Sequence, residues 1–316
     1  GWRYAAWVDL LMSLWRRGRR IETDDETDAG FERVPLQGAR HRCKAERTPM
    51  RFPKTITPFK TNRPRRNRQA IKEFVFNALN EQRDGDVFCI QVGANDGELA
   101  DPIFPMIRDF GWSALLIEPH PIYFNALCDL HQTRDTVTAV NVGISDTPGE
   151  MPLYFLRQAS QQLFPQHVRG CASLDRGWMQ RAVTRALDQT EQTDPDAHID
   201  VVNVPLRRLD AVLSEQAVTR ADLVVIDVEG HEASVLNSFD LSALNVSAAL
   251  IECQRTPPDN APHVVATLEK AGFVVFRVSI DLLALHPDRF RVPFSDVLMW
   301  IGHDPETVPE LADVSD

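Results

Sequence analysis

In the stretch QAIKEFVFNALNEQ, apolar residues fall at 71, 74, 75, 78 and 79, the i, i+3, i+4 spacing that lines one face of a helix. Beyond it the texture alternates. VFCIQV (87–92), SALLIE (113–118), TVTAVNVGI (136–144), DLVVIDV (222–228), AALIEC (248–253) and FVVFRV (273–278) are short, nearly unbroken apolar runs that read as strands. DVLMWIG (296–302) reads as a last strand. Between them, DPIFPMIRDFG (101–111), PIYFNALCDLH (121–131), EASVLNSF (232–239) and PHVVATLEKAG (262–272) read as helices, the first with Pro near its start and Gly111 as its stop. Strands that are apolar on both faces are expected where helices cover both sides of a sheet. Repeated strand–helix–strand units predict an α/β fold with a doubly wound, Rossmann-like, mainly parallel sheet.

Two regions break the rhythm. The stretch from 48 to 68 has prolines at 49, 53, 58 and 64, which argues against regular helix there, and ETDDETDAG is a solvated acidic run. Residues 1–66 therefore read as a poorly ordered or extended arm, 67–305 as the folded domain and 306–316 as a tail. Residues 151–210 hold MPLYFLR, the polar stretch TRALDQTEQTDPDAH and IDVVNVPLRRLDAVL. They predict an insertion made of a hairpin, a mobile segment and an extra strand. Long insertions of this kind often form lids or substrate walls.

Charge divides the chain. Residues 1–72 carry 18 basic against 8 acidic residues, a balance of +10, and the rest carries 16 against 37, or −21. The basic arm lacks interleaved aromatics, and the acidic body would repel phosphates, so no nucleic-acid partner is expected. Five scattered cysteines with no CxxC pair argue against a disulfide framework or a structural zinc site and suit a reducing, cytoplasmic setting. No run reaches the ~20 apolar residues of a membrane helix. WVDLLMSLW (7–15) contains Asp9 and precedes RRGRR. It reads as a terminal helix, loosely docked or lying on a membrane or partner surface.

Ligands of open α/β sheets bind outside the carboxyl ends of the strands, so the residues just after each strand carry the functional information. After the first strand comes GANDG. Gly93 and Gly97 tolerate positive φ and allow close approach of backbone to a ligand, and Asn95 is the next most permissive type. Glu118 follows the second strand, 25 residues past Gly93, near the spacing at which an acid accepts ribose hydroxyls. The two together point to a nucleoside-containing cofactor. Ser145 and Asp146 follow the third strand, where adenine could be held. The fourth strand ends in VVIDVEGHEASVL, which gathers Asp227, Glu229, His231 and Glu232 within six residues. A carboxylate at the end of an apolar strand is unfavourable without a partner, and ionisable groups this close invite shifted pKa values and acid–base chemistry. Glu232 also fits as an acid in a first helical turn, and His231 as a backbone hydrogen-bonder. Glu252, after the fifth strand, faces the same rim. It is open to a divalent cation shared with Asp227 or, as expected, a structural hydrogen bond, and no metal is called for.

The order QVGANDG, DP, GW, LLIEPHP, NVGISD, LDAVL, DLVVIDVEGHEASVL, ALIECQ resembles the FkbM family of S-adenosylmethionine-dependent methyltransferases over about residues 87–302. The resemblance implies the seven-stranded class I methyltransferase sheet with an antiparallel last strand, a place DVLMWIG would fill. It implies S-adenosylmethionine as cofactor and O-methylation of a hydroxyl on a sugar, glycan or secondary metabolite. Gly93, Asn95 and Gly97 would lie along the methionine and ribose, Glu118 would take the ribose hydroxyls, and Ser145 and Asp146 would flank adenine. Asp227 and the stretch from Glu229 to His231 would border the methyl group and the acceptor, with Asp227 or His231 as general base. The sequence departs from the family at Gln91, where Asp or Glu is usual. The amide accepts a hydrogen bond but has no charge for the cofactor's ammonium, and Asp96 is the residue expected to compensate. Two other readings remain. A glycine loop plus an acid also reads as a NAD(P)-dependent oxidoreductase, although the loop is not GxGxxG. A catalytically inactive Rossmann-like binding module would suit Gln91 and the irregular insertion.

Overall fold

Pro64 opens the first helix, α1 (Pro64–Gln82). The computed structural model describes residues 64–187, 194–253, 260–278, 280–292 and 297, all within the unit Arg51–Asp316. The helix thus begins inside the stretch where the proline spacing argues against one. Proline is tolerated in a first turn, where its missing N–H has no intrahelical partner. Residues 1–63, which hold WVDLLMSLW and nearly all of the expected arm, lie outside the described residues, as does the tail. No helix among the described residues is long and apolar enough to cross a membrane.

After α1 come β1 (Phe88–Val92), α2 (Phe104–Phe110), β2 (Ser113–Ile117), α3 (Pro121–His131) and β3 (Val137–Val140). Then follow β4 (Gly143–Ile144), β5 (Gly149–Leu156), α4 (Gln166–Arg169), β6 (Ala172–Ser173), α5 (Arg176–Ala186) and β7 (Ile199–Arg207). The chain continues through α6 (Leu209–Glu215), β8 (Leu223–Ile226), α7 (Glu232–Leu236), β9 (Ala248–Glu252), α8 (Ala261–Lys270), β10 (Val274–Val278) and β11 (Asp281–Leu285).

Seven strands form one sheet in the order β10-β11-β9-β8-β1-β2-β3. Strands β3, β2, β1, β8 and β9 are mutually parallel, and β11 runs antiparallel to both β9 and β10. This is the doubly wound α/β fold that the apolar runs predict. Among the described residues the antiparallel strand is DLLAL at 281–285, whereas the expectation for DVLMWIG falls almost wholly on residues that are not described. Residues 296–302 lie outside the described residues apart from Val297, which is helical and buried. TVTAVNVGI also divides. Its first half stays in the main sheet, while Gly143–Ile144 pairs with β7 in a second, four-stranded sheet of order β4-β7-β5-β6.

The central strands are buried on both faces because helices cover each side. Ile90, Val92, Val224 and Ile226 pack with residues of α6, α7 and α8. Cys89, Leu116, Leu223 and Val225 pack with Ile71, Val75 and Leu79 of α1, Met106 and Ile107 of α2 and Leu127 of α3. A parallel sheet sandwiched this way leaves one place for a ligand, the rim above the strands' carboxyl ends. The register sets what meets there. Ile226 pairs with Ile251, so the next residues, Asp227 and Glu252, end adjacent strands side by side.

Candidate active site

The loop after β1 is held by the neighbouring strands. Gly93 and Ala94 donate their N–H groups to the Ile117 carbonyl at 2.9 and 3.1 Å. Gly93 has φ +85°, and a Cβ there would lie 1.8 Å from the Asp227 carbonyl oxygen. Two strand ends therefore abut where a side chain would stand. Gly93→Ala should lose roughly 1–3 kcal/mol from the left-handed backbone alone, plus the clash. A melting curve no lower than the parent's would contradict this packing.

Asn95 is also left-handed, at φ +52°. Its N–H donates to Glu118 Oε2 at 2.8 Å, and its Nδ2 to the Gly170 carbonyl at 2.7 Å. One residue thus ties the loop both to the second strand and to the insertion. Asp96 and Gly97 serve the loop itself. Asp96 Oδ1 accepts from the N–H groups of Glu98 and Leu99, and a Cβ on Gly97 would meet Leu127 of α3 at 2.5 Å. Neither lines the cavity.

Glu118 is 4% exposed. Its Oε2 accepts from Asn95 N–H and its Oε1 from His120 N–H, each at 2.8 Å. Burial raises its carboxyl to about 7 against those two hydrogen bonds. Each oxygen keeps further lone-pair capacity, which suits hydroxyl donors. Ser145 and Asp146 fall just past the cavity wall, which Gly143 and Ile144 form. Ser145 is buried, and its Oγ lies 3.1 Å from His231 Nε2.

The fourth strand's rim separates into two roles. Glu232 is buried, and its Oε1 accepts from Gly230 N–H at 2.9 Å, so it closes the turn into α7. Asp227, Glu229 and His231 line the cavity. Glu229 sits at φ +52°, and its carbonyl accepts from Ser173 Oγ at 2.7 Å, which pins β6 of the insertion onto the turn. Carboxylate atoms of Asp227, Glu229 and Glu252 lie within 4.8 Å of one another. Burial first, then the charges of Glu252 and Glu229, push Asp227 well above the usual carboxylate range. Burial lowers His231, which favours its neutral ring. The three acids have the ligand type of a divalent-cation site, but clustered acids alone do not make one.

Gly93, Asn95, Glu118, Asp227, Glu229, His231 and Glu252 open onto one cavity of about 970 Å³. Its outer wall is the insertion, and there the sequence reading needs correcting. The stretch expected to be irregular contains a regular helix, α5, capped by Asp175 Oδ1, which accepts from Gly177 and Trp178 N–H. Trp178, Arg181, Ala182, Arg185 and Ala186 line the cavity at i, i+3, i+4, i+7 and i+8, a single helical face. That spacing was readable in RGWMQRAVTRA. The part of the polar stretch at 188–193 lies outside the described residues. The reading also missed Asp101, which lines the cavity beside Gln91 and whose only local signal was an Asp-Pro before a helix.

The family described as "Methyltransferase FkbM domain" matches residues 91–275. "Methyltransferase sdnD" of Sordaria araneosa is 27% identical over 220 residues, which cover 65% of this chain and 79% of that protein. The crystal structure of methyltransferase FkbM from Methylobacillus flagellatus KT aligns with TM-score 0.40 and 11% identity, over 64% of this chain and 44% of that one. The N-terminal domain of human METTL16, in complex with SAH, aligns with TM-score 0.32 and 12% identity, over 72% of this chain and 71% of that one.

Proposed function

The chain belongs to the FkbM methyltransferase family, and from that premise we propose that it is an S-adenosylmethionine-dependent O-methyltransferase. Its acceptor is a hydroxyl on a sugar, glycan or secondary metabolite. The observation that carries this reading is the single cavity joining the glycine loop and Glu118 to the Asp227 rim. Its volume of about 970 Å³ lies at the upper end of the ~300–1,000 Å³ of single-ligand pockets, which leaves room for an acceptor beside a cofactor.

The residues present fit an adenosyl cofactor. Glu118 offers buried carboxylate lone pairs for ribose hydroxyls, and the glycine loop brings bare backbone to the cavity edge. When bound, S-adenosylmethionine would supply an electrophilic methyl group carried on a sulfonium. The chain's own residues do the rest. Asp227 takes the acceptor's hydroxyl proton: burial and the charges of Glu252 and Glu229 raise its pKa, so once ionised it binds a proton more strongly than an ordinary carboxylate. The carboxylates of Glu229 and Glu252 lie within 4.8 Å and favour the protonated form of Asp227 through their charge. His231, held by Ser145, borders the same space as a neutral ring. The α5 wall, with Trp178 packed over Gly230, excludes water and orients the acceptor.

Calorimetry with S-adenosylmethionine, S-adenosylhomocysteine and NAD tests the cofactor. Binding of the two adenosyl compounds is expected, and binding of NAD alone would overturn the proposal. Labelled-methyl uptake into metabolite and glycan fractions tests the acceptor. Label recovered only on nitrogen or carbon would exclude an oxygen acceptor.

A further inference from the structure

Gln91, an uncharged amide, lies near the end of the first strand, and the structure shows an acid brought to it from the following loop. Gln91 Nε2 donates to Asp101 Oδ2 at 2.9 Å. Gln91 is 3% exposed, and its Oε1 is buried and accepts no hydrogen bond among the described residues. The bond to Asp101 fixes the amide's orientation, since with the nitrogen on the carboxylate the oxygen is the atom left over. On Asp101 the two oxygens have different tasks. Oδ1 accepts from the N–H groups of Ile103 and Phe104, at 2.7 Å each, and so caps the approach to α2. Oδ2 has the Gln91 amide.

This corner is rich in acceptors. Asp101 forms no ion pair with Lys or Arg among the described residues, and Lys72, on the same cavity, is bridged to Asp281 at 2.9 Å. Burial raises the Asp101 carboxyl to about 6, against the hydrogen bonds from Gln91, Phe104 and Ile103, and no cation contributes. Asp101 is half-buried, and an acid withdrawn from water without a cation beside it is unfavourable. An ammonium group brings three donors and a positive charge, which an acceptor-only corner lacks. Asp96 is not available for that role, since its Oδ1 closes the loop onto Glu98 and Leu99 and it does not line the cavity.

We propose that Gln91 and Asp101 together hold the α-ammonium group of the adenosyl amino-acid cofactor, Gln91 through its free amide oxygen and Asp101 through the charge that Gln91 lacks. The inference rests on the cofactor reading above and extends it to a residue outside the glycine loop. Asp101 is then a specificity residue for the amino-acid end of the cofactor, distinct from the ribose end at Glu118.

Calorimetry with two probes separates the possibilities. S-adenosylhomocysteine carries the ammonium, and 5′-methylthioadenosine has the nucleoside and sulfur without it. Asp101→Asn keeps the helix cap and removes the charge. It should weaken S-adenosylhomocysteine by about ten- to a hundredfold, the range for losing a charged hydrogen bond, and leave 5′-methylthioadenosine within about twofold. Gln91→Met, which removes the amide oxygen, should show the same selective loss, and it decides the matter if Asp101→Asn does not fold. Parental affinity for S-adenosylhomocysteine in the folded variants overturns the proposal while leaving the cofactor reading intact. Equal loss of both probes also overturns it, because the role is then structural. A parent that binds neither probe overturns the cofactor reading itself.

Discussion

Asp227→Asn is expected to cut methyl transfer by about 10²–10⁴-fold, the usual contribution of a positioned general base. The substitution keeps the shape of the side chain and removes only its capacity to take a proton. S-adenosylhomocysteine affinity should change far less than the rate, because Glu118 and the glycine loop remain. The measurement is labelled-methyl incorporation into whichever acceptor fraction the parent modifies, with calorimetry alongside. The parent's kcat/KM should rise with pH along a limb lying above the ordinary carboxylate range. The sign follows from the cause: burial, then Glu252 and Glu229, hold the proton on Asp227, and the base works only once that proton has left. His231→Gln provides the comparison. If Asp227→Asn keeps the parental rate and His231→Gln loses it, the base is the histidine.

Glu118→Gln is expected to weaken S-adenosylhomocysteine and 5′-methylthioadenosine alike, by about ten- to a hundredfold. In the parent, one carboxylate oxygen faces Asn95 N–H and the other faces His120 N–H. An amide must turn its own N–H groups toward one of them, which sets donor against donor and disturbs the loop. Loss of both probes marks the ribose end, whereas Asp101→Asn should lose one only. A pH arm adds a second check. Burial raises the folded Glu118 to about 7, above the ~4.3 of an unfolded glutamate, so its contribution to stability is complete below pH ~4 and lost as pH rises through 7. Between pH 5 and 8 the melting temperature should therefore fall more in the parent than in Glu118→Gln. Equal slopes would show that Glu118 does not carry the raised pKa.

Much of this site could be read from the chain in order. Gly93, Asn95 and Glu118 stand out because strand ends, positive-φ positions and the acid after a second strand leave local marks. The same holds for Asp227 and His231, set in a turn after an apolar strand. Gly97, Asp96 and Glu232 carry the same marks and serve packing and turns instead, since a turn-forming residue looks alike whether it faces a ligand or a neighbouring helix. DLLAL is a short apolar run like many others, and only pairing with Ala248–Glu252 makes it the antiparallel strand of the sheet.

What the sequence determined alone was the kind and order of the central strands and helices and the chemistry gathered at each of those strand ends. Hydrophobic period and turn preference act over a few residues, so they survive in a linear reading. What only the tertiary structure decided was which groups share a space. Parallel register sets Glu252 beside Asp227, the fold of one loop brings Asp101 to Gln91, and the second sheet swings α5 across the rim. Those encounters depend on strand order and on packing between segments up to tens of residues apart, and no local pattern along the chain records them.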